Sequence, residues 1–179
     1  MNKSAHIIGI DPGKGGGIGR IITVDKPIWS AYKCPKTIEE MVELIKVFKK
    51  FAINPTCYLE SVHAFPTDGR SSAFKFGENF GVWKGILSAF GIETILVTPQ
   101  KWQKHFGELP KDKKDRKSKL KQIATDKTNI KATLKTADAL CITVYGYETR
   151  NWIPNTILIK CSTIYSDCIT NKLHNSMVN

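Results

Sequence analysis

The segment Ile7-Ile8-Gly9-Ile10-Asp11-Pro12-Gly13 constrains the fold more than any other part of the chain. Its isoleucines predict a short buried strand. Proline and glycine cannot continue a central strand, so the chain must turn directly after Asp11. Asp11 therefore lies at the tip of the strand. It either begins a type I turn, where Asp is common, or offers a rigidly held carboxylate to a metal.

Two further acids occupy comparable places. Glu60 ends the short apolar segment that begins at Thr56, which also predicts a strand. Asp138 lies in the first turn of a helix predicted from Thr136 to about Glu148, where the helix dipole favours an anion. A stray surface Glu and a simple helix cap are the alternatives for these two acids. Because acids end two separate strands, we favour a shared site.

The other elements follow from local patterns. Residues 15–24 predict a second strand that pairs with the first, and their glycines fit neither common phosphate-loop motif. We interpret these glycines as a flexible turn or as the close approach of a ligand. A third strand is predicted from Ile28 to Lys33 and a fifth from Ile92 to Val97.

Two helices are predicted between these strands. The first runs from Thr37 to about Phe51, because Thr37 and Glu40 form a capping box before an apolar face. That face comprises Ile38, Met41, Val42, Ile45 and Phe48.

The second helix spans residues 73–90 and carries two stripes. One is an apolar seam, for which core packing is the simplest explanation: Phe76, Phe80, Trp83, Leu87 and Phe90. The other is a row of three glycines, Gly77, Gly81 and Gly85, each costing about 1 kcal/mol relative to alanine. These glycines predict close approach by another backbone, either the sheet or a second subunit. Gly91 is expected to end the helix.

The net charge is +11, so the surface favours a polyanion such as nucleic acid, with an anionic membrane as the rival partner. No stretch approaches the roughly 20 apolar residues of a transmembrane helix, and the N-terminus does not resemble a signal peptide. The five cysteines form no CxxC pair. We expect reduced thiols in a cytoplasmic or other DNA-containing compartment, without secretion.

Candidate nucleic-acid contacts form two groups. The loop after Glu60 carries His63, Phe65 and Arg70, and aromatic and basic side chains together suit base stacking and phosphate contact. Inward packing of Phe65 is the alternative. The segment 111–121 is strongly basic, which is typical of either a solvated surface or phosphate contact. Its nominated residues are Lys113, Lys114, Arg116 and Lys117.

The composition changes after residue 148. Residues 149–179 are rich in Ile, Thr, Ser, Asn and Cys and lack helical periodicity, although 156–164 could form a strand. We therefore expect a main domain over residues 1–148 and a C-terminal extension over 149–179, for which no function is predicted.

The ordered set of motifs resembles the RuvC-like Holliday junction resolvases, especially the phage-type branch, within the RNase H-like nucleases. The resemblance covers roughly residues 5–148. It rests on Gly9–Gly13, on Leu59–Pro66, on Phe74–Gly77 with Gly81, on Val97, Pro99 and Trp102, and on Ala137–Leu140. It implies an α/β RNase H-like fold. The resemblance also implies a mixed five-stranded sheet, with three antiparallel strands and then two parallel ones, flanked by helices.

The resemblance also implies roles for individual residues. Asp11, Glu60 and Asp138 match the family's catalytic metal-binding carboxylates. His63 occupies the position where relatives present an aromatic residue to the junction, and Phe65 is the nearby substitute. Lys101 and Lys104 lie where relatives use lysines near the scissile phosphate. The family acts as a homodimer, which would explain the glycine stripe.

One residue departs from the family pattern. Many relatives have an acid or a histidine three residues before the last aspartate, and this chain has Lys135 there. A protonated lysine cannot bind Mg²⁺. Either substrate phosphate and water fill that place, or the activity is weak or lost.

The predicted function is Mg²⁺-dependent endonucleolytic cleavage of four-way or otherwise branched DNA by paired nicks, with two Mg²⁺ per site and Mn²⁺ as a substitute. One alternative is a junction-binding protein with a decayed site. Another is an ATP-handling protein of the actin and sugar-kinase type, for which the chain is short. Binding without metal-dependent cleavage would favour the decayed site.

Overall fold

The computed structural model describes residues 5–13, 15–23, 26–50, 54–61 and 69–150, with the side chains of residues 5 and 72 excepted. The strands are β1 (Ala5–Asp11), β2 (Gly17–Thr23), β3 (Pro27–Lys33), β4 (Thr56–Glu60) and β5 (Glu93–Val97). The helices are α1 (Ile38–Lys50), α2 (Arg70–Ala89), α3 (Pro99–Lys104), α4 (Lys113–Thr128) and α5 (Ala137–Thr149).

The strands form one mixed sheet in the order β3-β2-β1-β4-β5. The first three strands pair antiparallel, and β4 pairs parallel with both β1 and β5. The predicted sheet of three antiparallel strands followed by two parallel strands is therefore confirmed. Because β1 and β4 run in parallel and in register, they end at the same edge of the sheet.

Each face of the sheet has its own core. One core joins the sheet to α1 and α2, and includes Ile8, Ile10, Phe48 and Trp83. The other joins it to α3, α4 and α5, and includes Ile7, Trp102, Leu120 and Leu140. Alternate residues of β1 enter opposite cores, as a strand buried on both faces requires.

The capping box of α1 is present, since Glu40 N donates to Thr37 Oγ1 over 3.2 Å. The predicted inner face is partly wrong, because Ile38 is 53% exposed while Met41, Ile45 and Phe48 are buried. Ile38 is the first residue of α1, so it lies at the end of the helix, where the face no longer covers the sheet.

α2 begins at Arg70, three residues before the predicted start, so Arg70 belongs to a helix rather than to a loop. Gly69 precedes the helix and has no side chain to cap it, which removed the usual start signal. At the other end Gly91 has φ +61°, as predicted for a helix terminus.

A pair of glycines lets α5 lie directly on the strands. Gly9 of β1 faces Gly19 of β2 in the register. A Cβ added to either would lie 2.7 Å from Ala139 O of α5, and at Gly9 it would also lie 2.6 Å from Thr143 N. The predicted close approach is therefore right for Gly19, and its cause is a helix of the same chain rather than a ligand.

The predicted boundary between residues 148 and 149 stays a prediction. α5 continues to Thr149, and residues 151–179, including the strand predicted at 156–164, lie outside the described residues.

Candidate active site

Three carboxylates meet at the edge where β1 and β4 end. Asp11 ends β1 and Glu60 ends β4, and the strand register places the two positions side by side. Asp138 is the second residue of α5, which the glycine pair holds against β1 and β2. The structure thus brings the three acids together from two strands and one helix, as the sequence predicts.

The turn after β1 fixes the Asp11 side chain. Gly13 N donates to Asp11 Oδ1 over 3.0 Å. Gly16 lies so close that an added Cβ would be 2.8 Å from the same oxygen. The side-chain amide of Asn79 on α2 donates to Pro12 O, which ties this turn to the opposite face of the sheet. Asp11 is therefore held by its own turn, which α2 secures through Asn79.

Glu60 is held by a single buried tryptophan. The indole Nε1 of Trp102 donates to Glu60 Oε1 over 2.9 Å, and Trp102 is fully buried. The pKa of Glu60 is raised to about 7, mainly by burial and also by the charges of Asp11 and Asp138, against the Trp102 hydrogen bond and the charge of Lys117.

The pKa values of the other two acids, Asp138 and Asp11, are also raised. The pKa of Asp138 is raised to about 6, mainly by burial and also by the charge of Asp11, against the charges of Lys117 and Arg116. Burial also raises the pKa of Asp11, against the Gly13 hydrogen bond and the charge of Lys117. The three acids are thus poorly stabilised as anions and repel one another, which favours binding of a cation.

The charge of Lys117 lowers the pKa of all three acids. The packing of α4 on α5 explains why this lysine lies near them. Cys141 Sγ of α5 contacts Leu120 O of α4 over 3.5 Å, and Lys127 Nζ lies 2.9 Å from Glu148 Oε1. Both pairs are 21 residues apart, so the helices run parallel with that offset. The same offset places Lys117 beside Asp138.

The sequence nominates Lys117 as one of several phosphate contacts, and that role stays a prediction. The structure adds that its charge lowers the pKa of all three carboxylates. A signal was present in the sequence: Leu120, Ala124 and Thr128 are the buried stripe of α4, and Lys117 continues this stripe one turn earlier. Arg116 is different, because its Nη1 also donates to Lys111 O over 3.0 Å.

The remaining predicted contacts lie at several places. His63 and Phe65 lie outside the described residues. Arg70 is exposed at the start of α2, and Lys101 and Lys104 are exposed on α3. Lys113 and Lys114 are exposed in the first turn of α4, whose N-cap Asp112 accepts from Lys114 N. Lys135 is exposed and is not among the charges that shift the pKa of Asp138.

The donor set suits a hard divalent cation, since carboxylate oxygens are the ligands that Mg²⁺ and Mn²⁺ prefer. Across the described ranges, no three His, Cys, Asp or Glu side chains stand in an arrangement that could hold one ion. The chemistry of the acids therefore fits a metal, while their present side-chain positions do not enclose one. The predicted roles in metal binding and catalysis stay predictions.

The architecture matches that of solved nucleases. Thermus thermophilus RuvC in complex with a Holliday junction substrate is similar with a TM-score of 0.55 and 18% identity, over 79% of this chain and 92% of that one. A second Thermus thermophilus RuvC structure is similar with a TM-score of 0.53 and 19% identity, over 79% of this chain and 93% of that one. The chain has the RuvC fold. At this identity the likeness establishes the RNase H-like architecture.

No family model matches the sequence, and no curated protein is detectably similar to it. Within the described part of the chain, no helix is long and apolar enough to cross a membrane.

Proposed function

We propose that the protein is a metal-dependent endonuclease that resolves four-way or otherwise branched DNA. The observation that carries the proposal is the meeting of Asp11, Glu60 and Asp138, three partly buried acids at one edge of the sheet, where burial raises the pKa of each and the charge of Asp11 adds to the shift of the other two. Such a cluster is costly for folding alone and useful for holding cations. The solved RuvC complex with a Holliday junction supports branched DNA as the substrate class.

Asp11, Glu60 and Asp138 would hold the metal, two Mg²⁺ in the fullest form of the proposal. Bound there, the metal would supply activation of a water and neutralisation of charge on the phosphate. The protein's own acids fix where the scissile phosphate must lie. Asp11 is the natural centre, because its charge raises the pKa of both other acids. The expected products carry a 5′-phosphate and a 3′-hydroxyl.

Lys117 would contact the scissile phosphate. It is exposed, yet its charge acts on all three acids, so it can face both the carboxylates and an incoming phosphate. A fixed cation there favours the extra negative charge of the transition state.

The basic side chains of α3 and α4 would bind the DNA arms. The first turn of α4 carries Lys113 and Lys114, and α3 carries Lys101 and Lys104, all exposed. Contacts of this kind give affinity that is independent of sequence and falls steeply with salt. The N-terminal half of α4 leads directly to Lys117, so DNA bound there would reach the acids.

A homodimer would cut two strands of one junction. The glycine stripe of α2 supports this arrangement, because no atom of the described residues lies within 4 Å of an added Cβ at Gly77, Gly81 or Gly85. The sheet therefore does not approach these glycines, which leaves a second subunit as the predicted partner. Phe74 lies on the same stripe and is 74% exposed. An exposed phenylalanine beside open glycines is suited to knob-and-hole packing against a copy of itself.

The test is cleavage of a labelled four-way DNA junction and a sequence-matched linear duplex, each with Mg²⁺ and with EDTA. We expect paired nicks in the junction, none in the duplex and none with EDTA. Asp11→Asn is the matched control, because it keeps the shape of the side chain and removes its charge. Activity should fall at least about 100-fold in this variant, because it loses the acid that couples to both others.

Two outcomes would redirect the proposal. Tight junction binding without a cut, even with Mn²⁺, would replace it with the alternative of a junction-binding protein whose site has decayed. Equal cutting of junction and duplex would keep the nuclease and reject branched DNA as its specific substrate.

A further inference from the structure

Trp102 is a buried side chain that ends on a functional carboxylate. Its ring is fully buried in the core between the sheet and helices α3 to α5. Its Nε1 reaches the edge of that core and donates to Glu60 Oε1 over 2.9 Å. The packing of a core residue therefore decides the orientation of an acid at the site.

The helix that carries Trp102 is fixed at both ends. At its start, Thr98 Oγ1 accepts from Lys101 N, and Pro99 occupies the first helical position. At its end, His105 Nε2 lies 2.6 Å from Glu148 Oε2 on α5. Phe106 packs edge-to-face on Trp102, with ring centroids 6.4 Å apart. Movement of Trp102 thus requires movement of α3 against α5.

We propose that Trp102 is a positioning residue that occupies Glu60 Oε1 and leaves Oε2 as the oxygen offered to a divalent cation. This inference rests on the proposed function. The indole N–H fixes rotation about the last bond of the Glu60 side chain, so the carboxylate does not lose that freedom when it binds a cation. Partners of this kind orient a ligand, and their loss typically costs roughly 10–100-fold in metal affinity or activity.

The position has a matched control in the same molecule. Trp83 is also fully buried, in the core on the other face of the sheet, and its Nε1 donates to none of the three acids. Trp102→Phe and Trp83→Phe each shorten a buried aromatic side chain and remove one indole N–H. Any difference between their effects on metal binding therefore reports the Glu60 contact rather than the loss of ring volume.

The experiment titrates Mn²⁺ into the full-length protein without DNA and measures bound ion by electron paramagnetic resonance. We expect Trp102→Phe to weaken Mn²⁺ binding about tenfold, and Trp83→Phe to leave it unchanged. DNA-junction affinity in EDTA should be equal in the two variants, since neither touches the basic surfaces. Equal Mn²⁺ affinity in the wild type and Trp102→Phe would overturn the inference.

A second variant covers the case in which Trp102→Phe fails to fold. Replacing Trp102 with its benzothienyl analogue puts sulfur in place of the N–H and keeps the ring. We expect this protein to melt near the wild type and to show the same tenfold loss of Mn²⁺ affinity. Wild-type affinity in the analogue would again refute the role of the N–H.

Mn²⁺ binding and junction cleavage by the wild type distinguish a failure of the positioning role of Trp102 from a failure of the proposed function. If the wild type binds no Mn²⁺ and cuts no junction, the proposed function fails. If the wild type binds Mn²⁺ and cuts, and both Trp102 variants match it, only the positioning role fails.

Discussion

Glycines play opposite parts on the two faces of the sheet. Gly9 and Gly19 lie under α5, where an added Cβ would meet the helix backbone within 3 Å. Gly77, Gly81 and Gly85 lie on α2, where an added Cβ would meet nothing within 4 Å in the part of the chain that the structure describes. The first pair brings an acid to the site, and the second group leaves a face open. The glycines of β1 and β2 thus let α5 pack closely on the sheet, whereas the glycines of α2 leave room for another backbone to pack against that helix.

The largest effect is expected for Gly9→Ala. The new methyl group would lie 2.6 Å from Thr143 N and 2.7 Å from Ala139 O, and backbone atoms of a helix cannot move aside singly. α5 must therefore shift as a whole, at a cost of about 3 kcal/mol in the free energy of unfolding. Urea denaturation measures this.

Gly81→Ala is the matched change on the other face. It should stabilise the monomer by about 1 kcal/mol at low protein concentration, because alanine is the better helix former and the space is open. A comparison in which both substitutions shift stability in the same direction would contradict the contrast between the two faces.

Asp138 on α5, together with Glu60, predicts that the stability of the folded protein depends on pH. The pKa of Asp138 is raised to about 6 and that of Glu60 to about 7, so the folded protein holds protons that the unfolded chain has released. Without metal, stability should therefore fall as pH rises from about 4 to 7. Asp138→Asn should recover on the order of 2 kcal/mol at pH 8.

Thermal melts at pH 5 and pH 8 in EDTA check this, and added Mg²⁺ should remove most of the difference at pH 8. A wild-type protein that is more stable at pH 8 than at pH 5 without metal would contradict the raised pKa values of Glu60 and Asp138 in the folded state.

The individual strands and helices were largely predictable because their signals are local, whereas the arrangement of the sheet was expected from the family resemblance. Asp11 before Pro12 and the Thr37–Glu40 capping box each lie within a few residues, and the structure has both features. The two strand-ending acids could be predicted to share an edge once the strands were taken as parallel. The start of α2 was missed because Gly69 offers no capping side chain.

The details of the site were less predictable because they depend on packing between distant segments. The nearness of Lys117 to Asp138 follows from the offset of 21 residues between two helices. The bond from Trp102 to Glu60 spans 42 residues. Neither sequence interval has a local pattern, although the buried stripe of α4, continued one turn earlier, includes the position of the exposed Lys117.

The open face of α2 predicts a smaller effect on assembly. Gly81→Leu should raise the dissociation constant of the dimer at least about tenfold, since a large side chain separates helices that approach through glycine. Sedimentation equilibrium measures the constant. Ile38→Leu is the control, because Ile38 is an exposed apolar residue on α1. A wild type that is monomeric at all concentrations would reject the open face as a dimer contact.

The smallest effect is expected for the ion pair on the outer side of α5. Lys127→Met removes the 2.9 Å contact with Glu148, at a cost of about 0.5 kcal/mol or less because both side chains are partly exposed. Urea denaturation at low and high salt checks this. A loss comparable to that of Gly9→Ala would mean that ion pairs, rather than the glycine pair, hold α5 on the sheet.

The central claim is that Asp11, Glu60 and Asp138 form one metal centre. Anomalous diffraction from a crystal soaked in Mn²⁺ tests it most directly. The account predicts an anomalous peak within about 2.2 Å of an Asp11 carboxylate oxygen, with Glu60 or Asp138 as a second ligand and no peak in Asp11→Asn. A wild-type crystal with no peak at these acids, or with its only peak elsewhere, would contradict the claim.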